Sequence, residues 1–134
     1  MVSVQSLRRQ VGRSESAPRQ RGLVPALVTT ARPRQWIKNL LVFAAPAAAG
    51  VLAQPAALGR TAVAFVSFCM ASSAMYFLND VKDRVRDAEH PTKRLRPVAA
   101  GELSRRSAWA AGCVLAVASV YRWFAINMSR PLNR

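Results

Sequence analysis

The sequence predicts an all-α membrane protein with two to three transmembrane helices. Hydrophobic residues make up 51% of its 134 residues, although its formal net charge is +14. The charges are segregated: no charged residue lies between Lys38 and Arg60, and none lies between Arg60 and Asp80. Each of these two windows approaches the roughly 20 apolar residues that a bilayer-spanning helix needs. Composition therefore favours a membrane protein over a basic soluble domain.

The N-terminal region, residues 1–24, is rich in Arg, Ser and Gln and has no apolar periodicity. We predict that it is a disordered, basic cytoplasmic tail. The following segment, 25–39, contains Trp36 among the basic residues Arg32, Arg34 and Lys38. Tryptophan beside basic residues at the edge of an apolar run is typical of an anchor at the membrane interface.

The apolar runs predict where the chain crosses the membrane. A first span is expected from Leu40 to Leu58, because a membrane helix can tolerate the prolines within it and its small residues favour close helix packing. A tight turn at residues 59–61 and a second span from Ala62 to Leu78 should follow. A third apolar run, Ala108 to Val120, is too short to span comfortably. Residues 121–134 are expected to be irregular.

Positive charge predicts the orientation. Eight Lys or Arg residues precede the first predicted span and eight lie in residues 79–107, whereas Arg60 alone lies between the two spans. Positively charged segments favour the cytoplasmic side. We therefore expect a multi-pass protein of the cell membrane, with its N-terminus and its 79–107 loop in the cytoplasm.

Five of the six acidic residues lie between residues 80 and 102. Asp80, Asp83 and Asp87 have the spacing i, i+3 and i+7, and Asn79 precedes Asp83 by four residues, so a helix would place them on one face. Carboxylates this close repel one another unless a cation binds between them. Oxygen ligands of this kind suit Mg²⁺. The alternative is a solvated charged face neutralised by the neighbouring Lys and Arg residues.

A basic segment follows the acidic residues. Lys93, Arg94 and Arg96 lie between Pro91 and Pro97, whose rings stiffen the backbone. Three cations in four residues are typical of a phosphate-binding site. Beside a Mg²⁺ site, they predict a diphosphate-binding site on the cytoplasmic side. The alternative is a basic loop that contacts anionic lipid.

Two other function classes are disfavoured by the sequence. The basic tail lacks the interleaved aromatic residues of a nucleic-acid-binding segment, so no nucleic-acid partner is predicted. Cys69 and Cys113 lie in apolar segments without the spacing of a disulfide or metal pair, and the single His90 cannot build a zinc site alone.

These residues carry a family resemblance. The run Asn79-Asp80-x-x-Asp83-x-x-x-Asp87, followed by Lys93-Arg94-x-Arg96-Pro97, resembles the first aspartate-rich motif of the UbiA-type membrane prenyltransferases. Four further runs resemble the decaprenyl-phosphate phosphoribosyltransferase branch of that family: Arg32 to Asn39, Ser72 to Asp80, His90 to Arg94, and Ala99 to Leu103.

The resemblance implies a bundle of membrane helices with a cytoplasm-facing cavity. It implies transfer of 5-phosphoribose from phosphoribosyl diphosphate to a polyprenyl phosphate lipid, with Mg²⁺ as cofactor, for cell-wall arabinan synthesis. Asn79, Asp83 and Asp87 would then hold the metal and diphosphate, with Asp80 nearby, and Asp83 and Asp87 are the predicted catalytic residues. The remaining substrate-binding residues would be phosphate-binding Lys93, Arg94 and Arg96, and Lys38 and Asn39 at the cavity edge.

The sequence departs from the family in one respect. No acidic residue follows Glu102, and so the second aspartate-rich motif of the family has no counterpart here. We therefore expect an N-terminal fragment with a partial transmembrane domain over residues 25–120 and an aberrant tail over residues 121–134. The alternatives are transfer of an isoprenyl group from its diphosphate to an aromatic acceptor, or a catalytically inert membrane fragment.

Overall fold

The structure, a computed structural model, describes residues 21–128. Within that range every regular element is helical, which confirms the all-α fold class. The α-helices are α1 (Leu23–Ala31), α2 (Ala44–Ala48), α3 (Pro55–Glu89) and α4 (Arg105–Met128). Two 3-10 helices join them, η1 (Pro33–Phe43) and η2 (Lys93–Leu95).

Helices α3 and α4 form the frame of the molecule. Both are long and apolar enough to cross a membrane, over Pro55–Glu89 and Arg105–Ile126. They pack closely at Gly112, where an added Cβ would lie 3.2 Å from the Cβ of Phe77. At about 1.5 Å per residue, the 35 residues of α3 exceed the roughly 30 Å hydrocarbon thickness of a bilayer. One end of α3 therefore extends beyond it.

The predicted first span, Leu40–Leu58, is wrong. The chain there forms the end of η1, the short helix α2, a turn and the first residues of α3. Gly50 adopts a φ of 67°, and its N–H and that of Val51 donate to the carbonyls of Ala47 and Pro46. This is a Schellman motif, which ends a helix.

The other predicted boundaries also change. Residues 59–61 are not a turn, because α3 begins at Pro55, a residue suited to the first position of a helix. The third apolar run is long enough to span, because α4 continues to Met128. Residues 121–128 are therefore helical rather than irregular, and α1 begins inside the predicted tail. The remaining predictions for the two termini lie outside the described residues.

The hydrophobic core lies beside the part of α3 just before its acidic residues. Its buried members come from α1, α3, the 96–104 loop and α4: Ala26, Phe77, Val98, Leu103 and Ala108. Helix α3 ends before Pro91, as expected because a proline disfavours the helical conformation of the residue before it. The N-terminus of α4 is capped by Ser104, whose Oγ accepts a hydrogen bond from Ser107 N at 3.0 Å. Because α3 ends at Glu89 and α4 begins at Arg105, the loop between them, residues 90–104, folds back against the end of α3.

Candidate functional site

The acidic residues lie on the last turns of α3. We predicted a loop over residues 79–107. Residues 79–89, which carry most of its carboxylates, are helical instead, so this part of the prediction is wrong. Helix α3 continues without a break from its apolar segment into these residues. It carries the carboxylates past the apolar segment, where the 90–104 loop and the junction of α1 and η1 meet it.

Asp80 contacts two arginines that come from different parts of the chain. Its Oδ1 lies 2.7 Å from Arg32 Nη2 and 3.4 Å from Arg96 Nη1. The Asp80 side chain is only 2% exposed. A buried carboxylate needs such partners, because an unpaired charge away from water is costly.

Asp87 shares one of these arginines. Its Oδ2 lies 2.6 Å from Arg96 Nη1, and its side chain is as buried as that of Asp80. Arg96 therefore bridges two carboxylates that lie about two helical turns apart on α3. We call Arg32, Asp80, Asp87 and Arg96 the arginine–aspartate network.

Asp83 and Asn79 lie outside this network. The Asp83 side chain is 31% exposed and its Oδ1 lies 2.8 Å from Nη2 of Arg86, an exposed neighbour on the same helix. Asn79 is exposed one turn earlier. The structure thus separates the four predicted metal ligands into two buried carboxylates held by arginines and two accessible oxygen donors.

Arg32 is the residue that sequence reasoning missed, since it was interpreted as part of an interfacial anchor. It follows α1 with a φ of 54°, in the left-handed region, a conformation that costs a non-glycine residue on the order of 1–3 kcal/mol. Its guanidinium carbon lies 4.6 Å from the ring centroid of Tyr76. The available sequence signal was a basic residue directly before Pro33, at a helix end.

One face of η1 is hydrogen-bonded to α3. Trp36 Nε1 donates to Ser73 Oγ at 3.0 Å, and Asn39 Nδ2 donates to Ser72 Oγ at 3.4 Å. Residues three apart share a face of a 3-10 helix, which explains why both reach α3. Trp36 is therefore a packing residue as well as a candidate anchor. Lys38 is exposed and forms no ion pair with the acids in the described part of the chain.

One of the three cations in the basic segment, residues 93–96, forms ion pairs with the acidic residues of α3. Of the three predicted phosphate-binding residues, the structure brings Arg96 to Asp80 and Asp87. Arg94 is exposed and its Nε donates to the carbonyl of Pro91 at 3.3 Å, and Lys93 is half-buried in η2. The 93–96 turn therefore presents two further cations beside the network without pairing them to it.

The donors fit a divalent cation only in part. In residues 21–128, no three acidic, His or Cys side chains converge as a metal site would require. Mg²⁺ is often bound by one or two carboxylates together with substrate phosphates. Asn79 and Asp83 are accessible to a cation shared in this way with a substrate, whereas Asp87 is buried and paired with Arg96 in this structure. The three residues do not form a closed metal site made by the protein alone.

An apolar groove lies beside the hydrogen bonds of η1. It has a volume of about 290 Å³ and is lined by residues of α1, η1, α3 and α4, among them Ala31, Trp36, Phe65 and Leu115. Ser73, which also lines the groove, precedes Asp80 by about two helical turns. The groove and the arginine–aspartate network are thus successive features along the same side of α3.

Comparison with known proteins identifies the family. The sequence model of the UbiA prenyltransferase family matches residues 40–129. The chain is 45% identical over 115 residues to the decaprenyl-phosphate phosphoribosyltransferase of Mycolicibacterium smegmatis, covering 81% of this chain and 36% of that protein. It is 48% identical over 102 residues to the protein of the same name from Mycobacterium tuberculosis H37Rv, covering 73% and 34%.

The corresponding protein of Corynebacterium glutamicum is 43% identical over 102 residues, covering 75% of this chain and 31% of that protein. The chain therefore spans about a third of the length of the curated relatives it matches. The family match covers the last four residues of η1 and all of α2, α3, η2 and α4. With its two helices suited to crossing a membrane, this all-α chain belongs to the UbiA prenyltransferase family.

Proposed function

We propose that the chain supplies a substrate site of a membrane transferase that moves 5-phosphoribose from phosphoribosyl diphosphate to decaprenyl phosphate. The observation that carries this proposal is the position of Arg96. It holds two buried carboxylates at the end of an apolar helix, beside Lys93, Arg94 and the accessible Asp83. A diphosphate and a cation both find complementary groups there.

The charges of the two substrates suit this site. The acceptor phosphate is already anionic and needs no general base. The protein must therefore bind the leaving diphosphate and align the sugar carbon with the lipid phosphate. We assign the diphosphate to Lys93, Arg94 and Arg96, and place Lys38 and Asn39 at the edge of the cavity.

The metal assignment is part of the proposal. Prenyltransferases of this family generally use a divalent metal, and we propose that it is Mg²⁺, held by Asn79, Asp83 and Asp87 together with the diphosphate. The ion would neutralise charge on the leaving group. Asp83 and Asp87 are then the carboxylates nearest the chemistry.

The apolar groove suggests where the lipid lies. Its lining is almost free of polar surface, and it lies about two turns of α3 before Asp80. We assign it to the isoprenoid chain of the acceptor, whose phosphate would then face the cationic end of α3. In this arrangement the phosphate-binding end faces the cytoplasm, in agreement with the distribution of positive charge.

Binding of phosphoribosyl diphosphate to the detergent-solubilised chain tests the proposal. We expect binding that requires Mg²⁺ and that Asp83→Asn weakens about tenfold or more, since it loses a charge-assisted contact. Calorimetry with and without Mg²⁺ measures this, and Glu89→Gln, at the exposed C-terminal end of α3, is the matched control.

Two results would contradict the proposal. One is the absence of Mg²⁺-dependent binding by a sample that circular dichroism shows to be helical. The other is a preference for an isoprenyl diphosphate over phosphoribosyl diphosphate, which would indicate prenyl transfer to an aromatic acceptor.

A further inference from the structure

We propose that Asp80 is a positioning residue that holds Arg32 and Arg96 as a pair, and that this pair binds a substrate phosphate group. The inference rests on the proposed function, because that function supplies the phosphate-bearing ligands. It gives Asp80, which the sequence had suggested as a metal ligand, a positioning role instead. It also adds Arg32, from the junction of α1 and η1, to the substrate-binding residues.

The contacts of Asp80 are the first argument. Both arginines contact the same oxygen, Oδ1, through Nη2 of Arg32 and Nη1 of Arg96. Two guanidinium groups that share one acceptor atom must lie near each other. Without that carboxylate their like charges would repel each other. Among the described residues, Asp80 is the carboxylate that contacts both arginines, whereas Asp87 contacts Arg96 alone.

The unused donors of the arginines are the second argument. A guanidinium carries five N–H donors, and each of these two uses a single nitrogen in its contacts with the acids. The Arg32 side chain is 29% exposed and the Arg96 side chain 30%, whereas the carboxylates beneath them are 2% exposed. The network is therefore closed on its acidic side and accessible on its arginine side.

The backbone and ring contacts of Arg32 are the third argument. Its left-handed conformation and its position over the Tyr76 ring restrain the side chain from both ends. Strain of this kind persists only where surrounding contacts enforce it, and it is concentrated at functional sites. A restrained planar fork matches the oxygens of a phosphate.

The test compares affinities of the detergent-solubilised chain for three ligands, each with Mg²⁺ present. The ligands are phosphoribosyl diphosphate, inorganic diphosphate and farnesyl phosphate, a short isoprenyl phosphate. We expect Arg32→Gln and Asp80→Asn each to weaken binding of at least one ligand by about ten- to a hundredfold. Arg84→Gln, which removes the same charge from an exposed position of α3, should change affinity by less than about threefold.

Two further measurements separate positioning from simple structural support. If Asp80 acts through Arg32, the Arg32→Gln and Asp80→Asn double variant should be little weaker than either single variant. Arg32→Lys keeps the ion pair but loses the planar fork, and so it should leave binding at least about fivefold weaker than in the unaltered chain. An ion pair that only supported the fold would be restored by lysine. Circular dichroism checks that each variant is helical.

The comparison of the three ligands also separates this inference from the proposed function. Loss confined to the phosphoribosyl compound would place the pair on the donor's 5-phosphate, and loss confined to farnesyl phosphate would place it on the acceptor. Arg32-dependent binding of farnesyl phosphate without any binding of phosphoribosyl diphosphate would contradict the proposed function and leave this inference standing. Unchanged affinities in a helical Arg32→Gln variant, or no binding of any ligand by the unaltered chain, would overturn it.

Discussion

The Asp80 carboxylate is held by two arginines from separate parts of the chain, Arg32 before η1 and Arg96 after η2. The spacing of Asp80, Asp83 and Asp87 predicted one face of a helix; the helix is present, but Asp80 and Asp87 are buried against arginines while Asp83 is partly exposed. The spacing carried no information about Arg32, which lies 48 positions away from Asp80 in the sequence. Helical periodicity relates residues within an element, whereas the partners of a buried charge are set by tertiary packing. The clustering of the acidic residues on one helix was therefore predicted from sequence, but the pairing of Asp80 and Asp87 with arginines was not.

Arg96 has an expected effect on stability. Arg96→Gln leaves Asp87 without its partner and Asp80 with only one, and so it should lower the free energy of unfolding by about 3 kcal/mol, as for other broken buried pairs. Arg94→Gln is the matched control, because Arg94 is exposed and pairs with no acid in the described residues. Its effect should stay below about 0.5 kcal/mol.

Unfolding in detergent followed by tryptophan fluorescence would measure both variants. Equal losses of stability for Arg96→Gln and Arg94→Gln would show that the arginine–aspartate network does not hold the loop to α3.

At the scale of elements, the missed break at Gly50 is the main lesson. The length of the uncharged window predicted a continuous span from Leu40 to Leu58. Local signals pointed the other way: Gly50 suits the left-handed residue after a helix, and Pro55 suits the first position of the next helix. Composition detects that a segment is apolar, whereas capping residues decide where a helix starts and ends.

The packing of α3 against α4 gives a second prediction. Gly112→Val should weaken this packing by about 1–3 kcal/mol, as overpacking does elsewhere, because an added Cβ would lie 3.2 Å from Phe77 and Leu78 atoms. Gly59→Val is the control, since a Cβ added there meets nothing within 4 Å.

Thermal unfolding in detergent, followed by circular dichroism, compares the two glycine variants. A lower midpoint for Gly112→Val than for Gly59→Val is expected. The reverse order would argue against close contact between α3 and α4.

At the scale of the whole molecule, the sequence predicted the all-α class and a membrane location, and both are confirmed. The pairing of α3 with α4 was not foreseen, because the apolar run from Ala108 to Val120 was judged too short. Helix α4 extends that run through Trp123 and Phe124 to Met128, and both aromatic side chains are exposed. Arg122 interrupts the apolar composition without ending the helix.

Orientation can be tested directly. If α3 crosses the membrane, Ala53 and Ala100, both exposed, should lie on opposite sides. We expect Ala53→Cys to react with an impermeant maleimide in intact cells, and Ala100→Cys to react only after the membrane is opened. Cys69 and Cys113 would be replaced by alanine in both variants. Labelling of both sites in intact cells would show that α3 does not span, and the reverse pattern would invert the proposed orientation.

The bridge from Arg96 to Asp87 and Asp80 also has a consequence for biosynthesis. Arg96 follows Asp87 by nine residues, and so both carboxylates leave the ribosome before the arginine that pairs with them both. At about 5–20 residues per second, the end of α3 remains without this arginine for up to about two seconds during synthesis. During that interval Arg32, made earlier, is the network partner available to Asp80. Once Arg96 has emerged, the loop can close on α3 before the whole of α4 has emerged.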